Sequence, residues 1–525
     1  MRIFAEGRIA PWALAAGLAA LLVVGVASRR GEPADPAGPT ASADAPRLRG
    51  APSPASPARI AAAPAEAATR PRIRSRPQPW QLASSRPDRC SAATSGMASA
   101  SRLDSQTASY LGSGPTDTIN AVEIAADCSV LVAGRVAQAA GAAAPAPLVP
   151  GVAATTGVLA ELVQEGRSLR RQRGFGAVVN DLATNAGDAV LVGGDAGLVS
   201  LGADLQTVRW HRTDLGAATR VALADDGTAA ALFGKTLRIF DAQGATLASL
   251  AFGDSAVNDV AIDASGVYVT GFAQRDGGPC SQLQVAWVRA FTRTGTERWK
   301  AWDWTHAQAA ATSSSCADSR GMRIATGRDG GLYFAAESAG GNTIFRFQSR
   351  DLAAAAPNVA TDAFNTGYNT ASNHITYIAR LDPADGRVLS GQLILSRLSD
   401  GKGNTIRPRA IDADEQGRVY VAGVSACCTQ NRSALTFNGT ALAAYAGGDP
   451  FVLVLSPDLR TRLLWFSAAN GGKAEALGVA ASRGLAVLAS RADAAPMTLD
   501  RAVQATRPAT ATSSGHVLSW SVATP

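Results

Sequence analysis

One pattern recurs seven times along this chain and limits what the chain can become. It is a short apolar strand, a polar turn and a second strand ending on small residues. The copies are NAVEIAADCSVLVAG from Asn120, NDLATNAGDAVLVGG from Asn180, TRVALADDGTAAALFG from Thr219, NDVAIDASGVYVTG from Asn258, MRIATGRDGGLYFAA from Met322, RAIDADEQGRVYVAG from Arg409 and ALGVAASRGLAVLAS from Ala476. Aliphatic and β-branched residues alternate on both sides of a turn rich in Asp, Ser or Gly, which is the pattern of a β-hairpin. Two further strand-like runs follow each hairpin, clearest in VAWVRAFTRTGTERWKAW from Val285, YIARLDPADGRVLSGQLIL from Tyr377 and FVLVLSPDLRTRLLWFS from Phe451. Units of four strands, with no helical stretch, predict an all-β chain folded as a β-propeller of about seven four-stranded blades. The last unit lacks a strand, since only GHVLSWSV from Gly515 follows its hairpin. SRLDSQTASYLGSG, from Ser101, precedes the first hairpin and is expected to supply the missing strand, so that the ring closes without an open edge.

Ahead of the repeats, Arg2 and Arg8 precede a charge-free run from Ile9 to Ser28, and Arg29-Arg30 follow it. Residues 1–30 therefore read as an export signal. Two forms of it stay open: an uncleaved N-terminal membrane anchor, or a signal peptide cut after Ala27 or Ser28. The run from residue 9 to 28 is about 30 Å long as a helix, enough to cross the hydrocarbon core. No Cys follows the run before Cys90, which excludes a lipoprotein anchor. Residues 31–78, rich in Ala, Pro and Arg, predict a disordered linker, and residues 79–525 the propeller domain. Of the net charge of +7, +6 lies in residues 1–80, so the propeller itself is nearly neutral. It has no general electrostatic reason to hold a polyphosphate, and nucleic acid is not expected as a partner. Membrane contact is expected only through the N-terminal segment, with a monomeric propeller in the periplasm or at the cell surface.

Strands in a propeller alternate in direction, so the turn between second and third strands shares an end with the link to the next blade. The long insertions fall there: Val136–Thr155, Gln274–Gln284, Thr305–Ser319, Glu337–Ile375 and Val424–Pro450. Such loops are uncommon unless they serve binding, which makes this end the candidate binding face, with Trp304, His306, Tyr368, His374 and Asp449 upon it. Six Cys in an exported chain read as disulfides. Cys280 and Cys316, in insertions of the same face, are expected to pair. Cys90 and Cys128 are the next pair, and adjacent Cys427 and Cys428 are either a vicinal disulfide or separate thiols. No second Cys or His pair stands at ligand spacing for zinc, and the Asp412–Gly417 run lacks the Glu of a calcium loop, so no metal is expected. The nucleophile elbow, the zincin motif, the P-loop and the dinucleotide fingerprint are all missing from the sequence; neither a catalytic residue nor a cofactor is assigned. Trp287, Trp299, Trp302 and Trp304 crowd the fourth unit, where packing between blades and stacking on sugars are competing readings.

AIDASGVYVTG (Ala261–Gly271), AIDADEQGRVYVAG (Ala410–Gly423) and GGDPFVLVLSPDLRTRLLWFSAANGG (Gly447–Gly472) resemble the repeat of the bacterial seven-bladed β-propeller (SBBP-type) family. The resemblance implies an exported or cell-surface propeller and brings no catalytic residues. LDPADGRVLSG and TRTGTERWKAW are also faintly similar to blades of quinoprotein-type propellers. The expected function is a non-catalytic binding or scaffold module for an envelope protein or surface polysaccharide. The alternative is an exported enzyme on the same scaffold, either a glycan hydrolase or lyase, or a quinoprotein-like oxidoreductase.

Overall fold

The computed structural model describes residues 87–525, apart from 94, 139–142, 188, 278–279, 281, 313–315, 341–342, 357–358, 361–373, 399–402, 427–433, 445–447, 494–495 and 524–525. The leader, the linker, Tyr368 and the Cys427–Cys428 pair lie outside the described residues. Each repeat begins with a strand that lines the axis: β1 (Thr118–Ile124), β2 (Val179–Thr184), β3 (Arg220–Leu223), β4 (Ala256–Asp263), β5 (Ser319–Thr326), β6 (Ile406–Ala413) and β7 (Ala474–Ser482). These strands neighbour one another in sequence order, and β7 returns to β1, so the circuit is closed. From each, a sheet with an antiparallel core runs outward; in the sheets begun by β1 and β5 a short strand from an insertion adds in parallel at the outer edge. The chain is an all-β propeller.

The turns explain why each pair folds locally. After β3, Ala224 N–H bonds Thr228 O at 2.9 Å and Gly227 N–H bonds Ala224 O at 3.0 Å, while Asp226 caps Thr228 N–H at 3.0 Å. Gly227 holds φ +86°, a backbone region that strains any residue with a Cβ.

The sheet begun by β7 is completed from the other end of the chain. Ser514–Ser521 pairs antiparallel with Ser105–Leu111, so the first long strand and the last share one sheet. One expectation needs correction. Among the described residues there are eight sheets of four or more strands, not seven. The eighth joins Met97–Ser99 and Arg102–Leu103 to Thr436–Phe437 and Thr440–Ala441, and packs outside the axial circuit against Arg462–Ser467. Strands of two or three residues have no room for an alternating pattern, so repeat counting misses this sheet. A helix is also present, His306–Thr312, within an insertion.

Six of the axial strands carry a β-bulge at one place in the repeat, skipping Asn120, Asn180, Asn258, Met322, Arg409 and Leu477. A bulge takes one residue out of the ladder and re-aims its side chain. Here the freed asparagines reach sideways to the next sheet: Asn120 Nδ2 to Val179 O at 2.8 Å, Asn180 Nδ2 to Ala218 O at 2.9 Å and Asn258 Nδ2 to Gly321 O at 2.7 Å. The Asn of the repeat is thus a connector between sheets.

Apolar side chains fill the wedges between sheets. Trp302 stacks on Phe334 at 4.8 Å between centroids, and Phe345 on Tyr377 at 4.4 Å. Trp287, Trp299 and Trp302 are 0%, 4% and 2% exposed, so these three pack between sheets and offer no sugar platform. Cys90 bonds Cys128 and Cys280 bonds Cys316, with Cα atoms 5.1 and 5.3 Å apart. Among the described residues no cysteine is free, and no helix is long and apolar enough to cross a membrane.

Candidate functional site

The two ends of the ring differ. Turns within hairpins occupy one end and stay short; the five insertions read from the sequence, and the connection between Ala492 and Ser514, all leave from the other.

At the insertion end, β5 carries Arg320 and its partner strand Leu332–Ser338 carries Glu337, while β6 contributes Arg407. His374 precedes the strand Ile375–Leu381, its carbonyl held by Ile406 N–H at 3.1 Å. Its Nδ1 donates to Glu337 Oε2 at 2.9 Å, Arg320 Nη1 donates to the same oxygen at 3.2 Å, and Arg407 Nε lies 3.7 Å from Oε1. Burial alone would raise the Glu337 carboxyl. The His374 bond and the charges of Arg407 and Arg320 outweigh it and hold the group below the ordinary value. One buried carboxylate therefore gathers two guanidiniums and an imidazole at the root of the longest insertion. Arg320 also lies 5.8 Å over the Phe272 ring.

The remaining predicted residues are dispersed. His306 starts the short helix and its Nε2 contacts Cys280 O at 2.7 Å, tying the helix to the stapled loop. Trp304 packs half-buried against the largest apolar cluster. Asp449 is fully buried and accepts from Ser467 Oγ, so it supports a strand rather than presenting a surface. Of the predicted residues that are described, only His374 joins the Glu337 cluster.

Sequence reasoning missed the axis. A funnel of about 830 Å³ runs inward from the short-turn end, bordered at its mouth by Pro87 and Asp88. Asp181, Arg220, Asp259 and Arg323, which follow the connector positions of successive repeats, form its floor. Asp181 Oδ2 accepts from Val221 N–H at 2.9 Å, Asp259 Oδ2 from Ile324 N–H at 3.0 Å and Asp412 Oδ2 from Ala481 N–H at 2.8 Å. Each carboxylate caps the next strand of the circuit. Arg328, from the turn after β5, spans the funnel to Ala481 O at 3.1 Å and Glu123 Oε2 at 3.5 Å. Burial pushes Asp181 and Asp412 up to about 6, and Glu123 up to about 8, against the pull of Arg220 on the first and Arg328 on the others. Burial, with Arg220 close by, pushes Arg323 down to about 9. The signal was present in the sequence: aligned on the connector, the residue after it reads Asp181, Arg220, Asp259, Arg323, an alternation of charge invisible within any single repeat. Neither His306 nor His374 lines the funnel. Among the described residues no three metal-ligating side chains come together.

No protein-family model matches the sequence, and no curated protein matches it. Among solved structures the chain is similar to U3-55K, with 10% identity and a TM-score of 0.43 over 78% of this chain and 98% of that one. It is similar also to the WD40 repeats of RRP9, with 10% identity and a TM-score of 0.42 over 79% of this chain and 97% of that one. Both likenesses reach no further than the arrangement of strands.

Proposed function

We propose that this chain is an exported propeller of the cell envelope, a divergent relative of the SBBP-type repeat proteins, that binds another protein through its insertion end. The observation that carries the reading is the one-sided distribution of the insertions, with the Arg320, Glu337, His374 and Arg407 cluster at their root. A rigid ring that keeps one end short and elaborates the other presents a fixed platform with a variable surface. Two disulfides fit an oxidising compartment, as an exported chain requires.

The test is crosslinking in the native cells with two variants beside the parent, one with Val424–Pro450 shortened and one carrying Arg407→Glu. The expected result is a protein partner captured by the parent and lost from the shortened variant, with recovery from Arg407→Glu reduced roughly tenfold or more, as removal of a charged interface group does. Equal recovery from all three forms would overturn the assignment of this face.

A further inference from the structure

We propose that the axial funnel is a binding site for a small organic carboxylate, seated on the funnel floor between Arg220 and Arg323. This site is separate from the insertion end and does not depend on what binds there.

The geometry at Arg220 is the starting point. Its guanidinium lies between Asp181 and Asp259, but at 3.9 Å from Asp181 Oδ1 and 4.0 Å from Asp259 Oδ1, beyond hydrogen-bond reach. Each aspartate directs its other oxygen to a backbone N–H of the neighbouring strand. The two carboxylates therefore attract and orient Arg220 without satisfying its donors. Its side chain is 23% exposed, and that exposure is to the funnel it lines. Five N–H groups in a fixed fork, three-quarters buried and without a hydrogen bond among the described residues, form an incomplete arrangement that an acceptor would complete.

Arg323 faces the same space. Its Nε donates to Arg409 O and its Nη1 to Met322 O at 2.8 Å, which leaves Nη2 without a hydrogen bond among the described residues. Two guanidiniums are thus held near each other by backbone and by distant carboxylates. The depressed ionisation of Arg323 reports burial and the repulsion of Arg220. An anion placed between them would relieve that repulsion.

The surroundings select the anion. A carboxylate is planar, carries one charge and matches the guanidinium fork with two oxygens. A phosphate dianion would bring a second charge against Asp181 and Asp259. Burial raises Asp181 only to about 6, so near neutrality it stays largely ionised and competes with a bound anion for Arg220. A volume of about 830 Å³ is within the usual range for small-molecule pockets.

The probes are glycolate and gluconate, with glucose as the neutral comparator and inorganic phosphate as the competing anion, titrated calorimetrically at low ionic strength against residues 87–525 attached to the full chain. The expected result is saturable binding of at least one carboxylate and none of glucose. Arg220→Ala should weaken that binding about tenfold or more, as loss of a charged hydrogen-bonding partner does. Asp181→Asn keeps an acceptor for Val221 N–H and removes the competing charge, so affinity should rise several-fold. Failure of both carboxylates to bind the folded parent overturns the proposal, as does equal affinity in Arg220→Ala, or binding of phosphate with neither carboxylate. If Arg220→Ala does not fold, Asp181→Asn decides, and unchanged or weakened affinity in it is the overturning outcome.

Discussion

His516 lies in the third strand of the closing sheet, fully buried, with Nε2 bonded to Thr498 O at 2.8 Å and the ring edge-on to Tyr110 at 5.8 Å. Burial pushes this imidazole down to about 4. An unfolded chain titrates it near the ordinary value of 6.5, so between those limits the unfolded state binds more protons and stability falls as the pH drops. The full shift corresponds to roughly 3 kcal/mol. Glu123, Asp181 and Asp412 act in the opposite sense. Their folded values of about 8, 6 and 6 favour the fold while they stay protonated, an effect lost as the pH climbs through those values. A His516→Leu variant isolates the first contribution: its melting temperature should decline less than the parent's between pH 6.5 and 4, and parallel declines would assign the acid limb elsewhere. Single residues were unevenly legible in the sequence. Cys280, Cys316, Cys90 and Cys128 could be paired because their even number and flanking positions reflect chain connectivity. The sequence places Asp449 on the binding face, because the first residue of a strand and the last of a loop look alike until Ser467 is seen to bond it. Arg220 was invisible as a site residue because its meaning depends on Asp181 and Asp259, in two other repeats.

The hairpin that opens each repeat is specified locally, by alternation and by a turn such as Ala224–Thr228, and this is why it could be read directly. The bulge within its first strand was not legible. Asn120, Asn180 and Asn258 look like strand-initiating polar residues, and only the sideways bonds to Val179, Ala218 and Gly321 show them as connectors. The eighth sheet escaped for a different reason: Arg102–Leu103 and Thr436–Phe437 pair across more than three hundred residues, a long-range contact with no local pattern. The segment leading into that sheet is fastened by Cys90–Cys128 and by Cys90 N–H to Arg483 O at 2.7 Å. The disulfide closes a span of 38 residues, for which chain entropy gives a contribution of about 4 kcal/mol. Replacing both cysteines by serine should lower the denaturant midpoint accordingly without changing the far-ultraviolet spectrum. An unchanged midpoint would mean that the hydrogen bonds of the segment hold it unaided.

The sheet begun by β7 is completed by Ser105–Leu111, which returns to pair with Ser514–Ser521. Removing residues 87–111 strips that sheet of its outer strand and of the disulfide together. The truncated protein should melt at lower temperature and in more than one step by calorimetry, because a ring opened at one sheet loses the cooperativity of a closed one; a single transition at the parent's temperature would refute this role for the closure. The order of the circuit was legible in the sequence because the repeats follow one another and propellers are built by succession. Which end of the ring holds a pocket was not, since the funnel forms only when β1 to β7 face a common axis. The closure also sets a timetable. Gln106 and Ser521, hydrogen-bonded in the finished sheet, are separated by 415 residues, which a ribosome adding about 5 to 20 residues per second needs roughly 20 to 80 s to deliver. Throughout that interval the early strand waits for its partner, and the closing sheet is complete only when Ser514–Ser521 arrives.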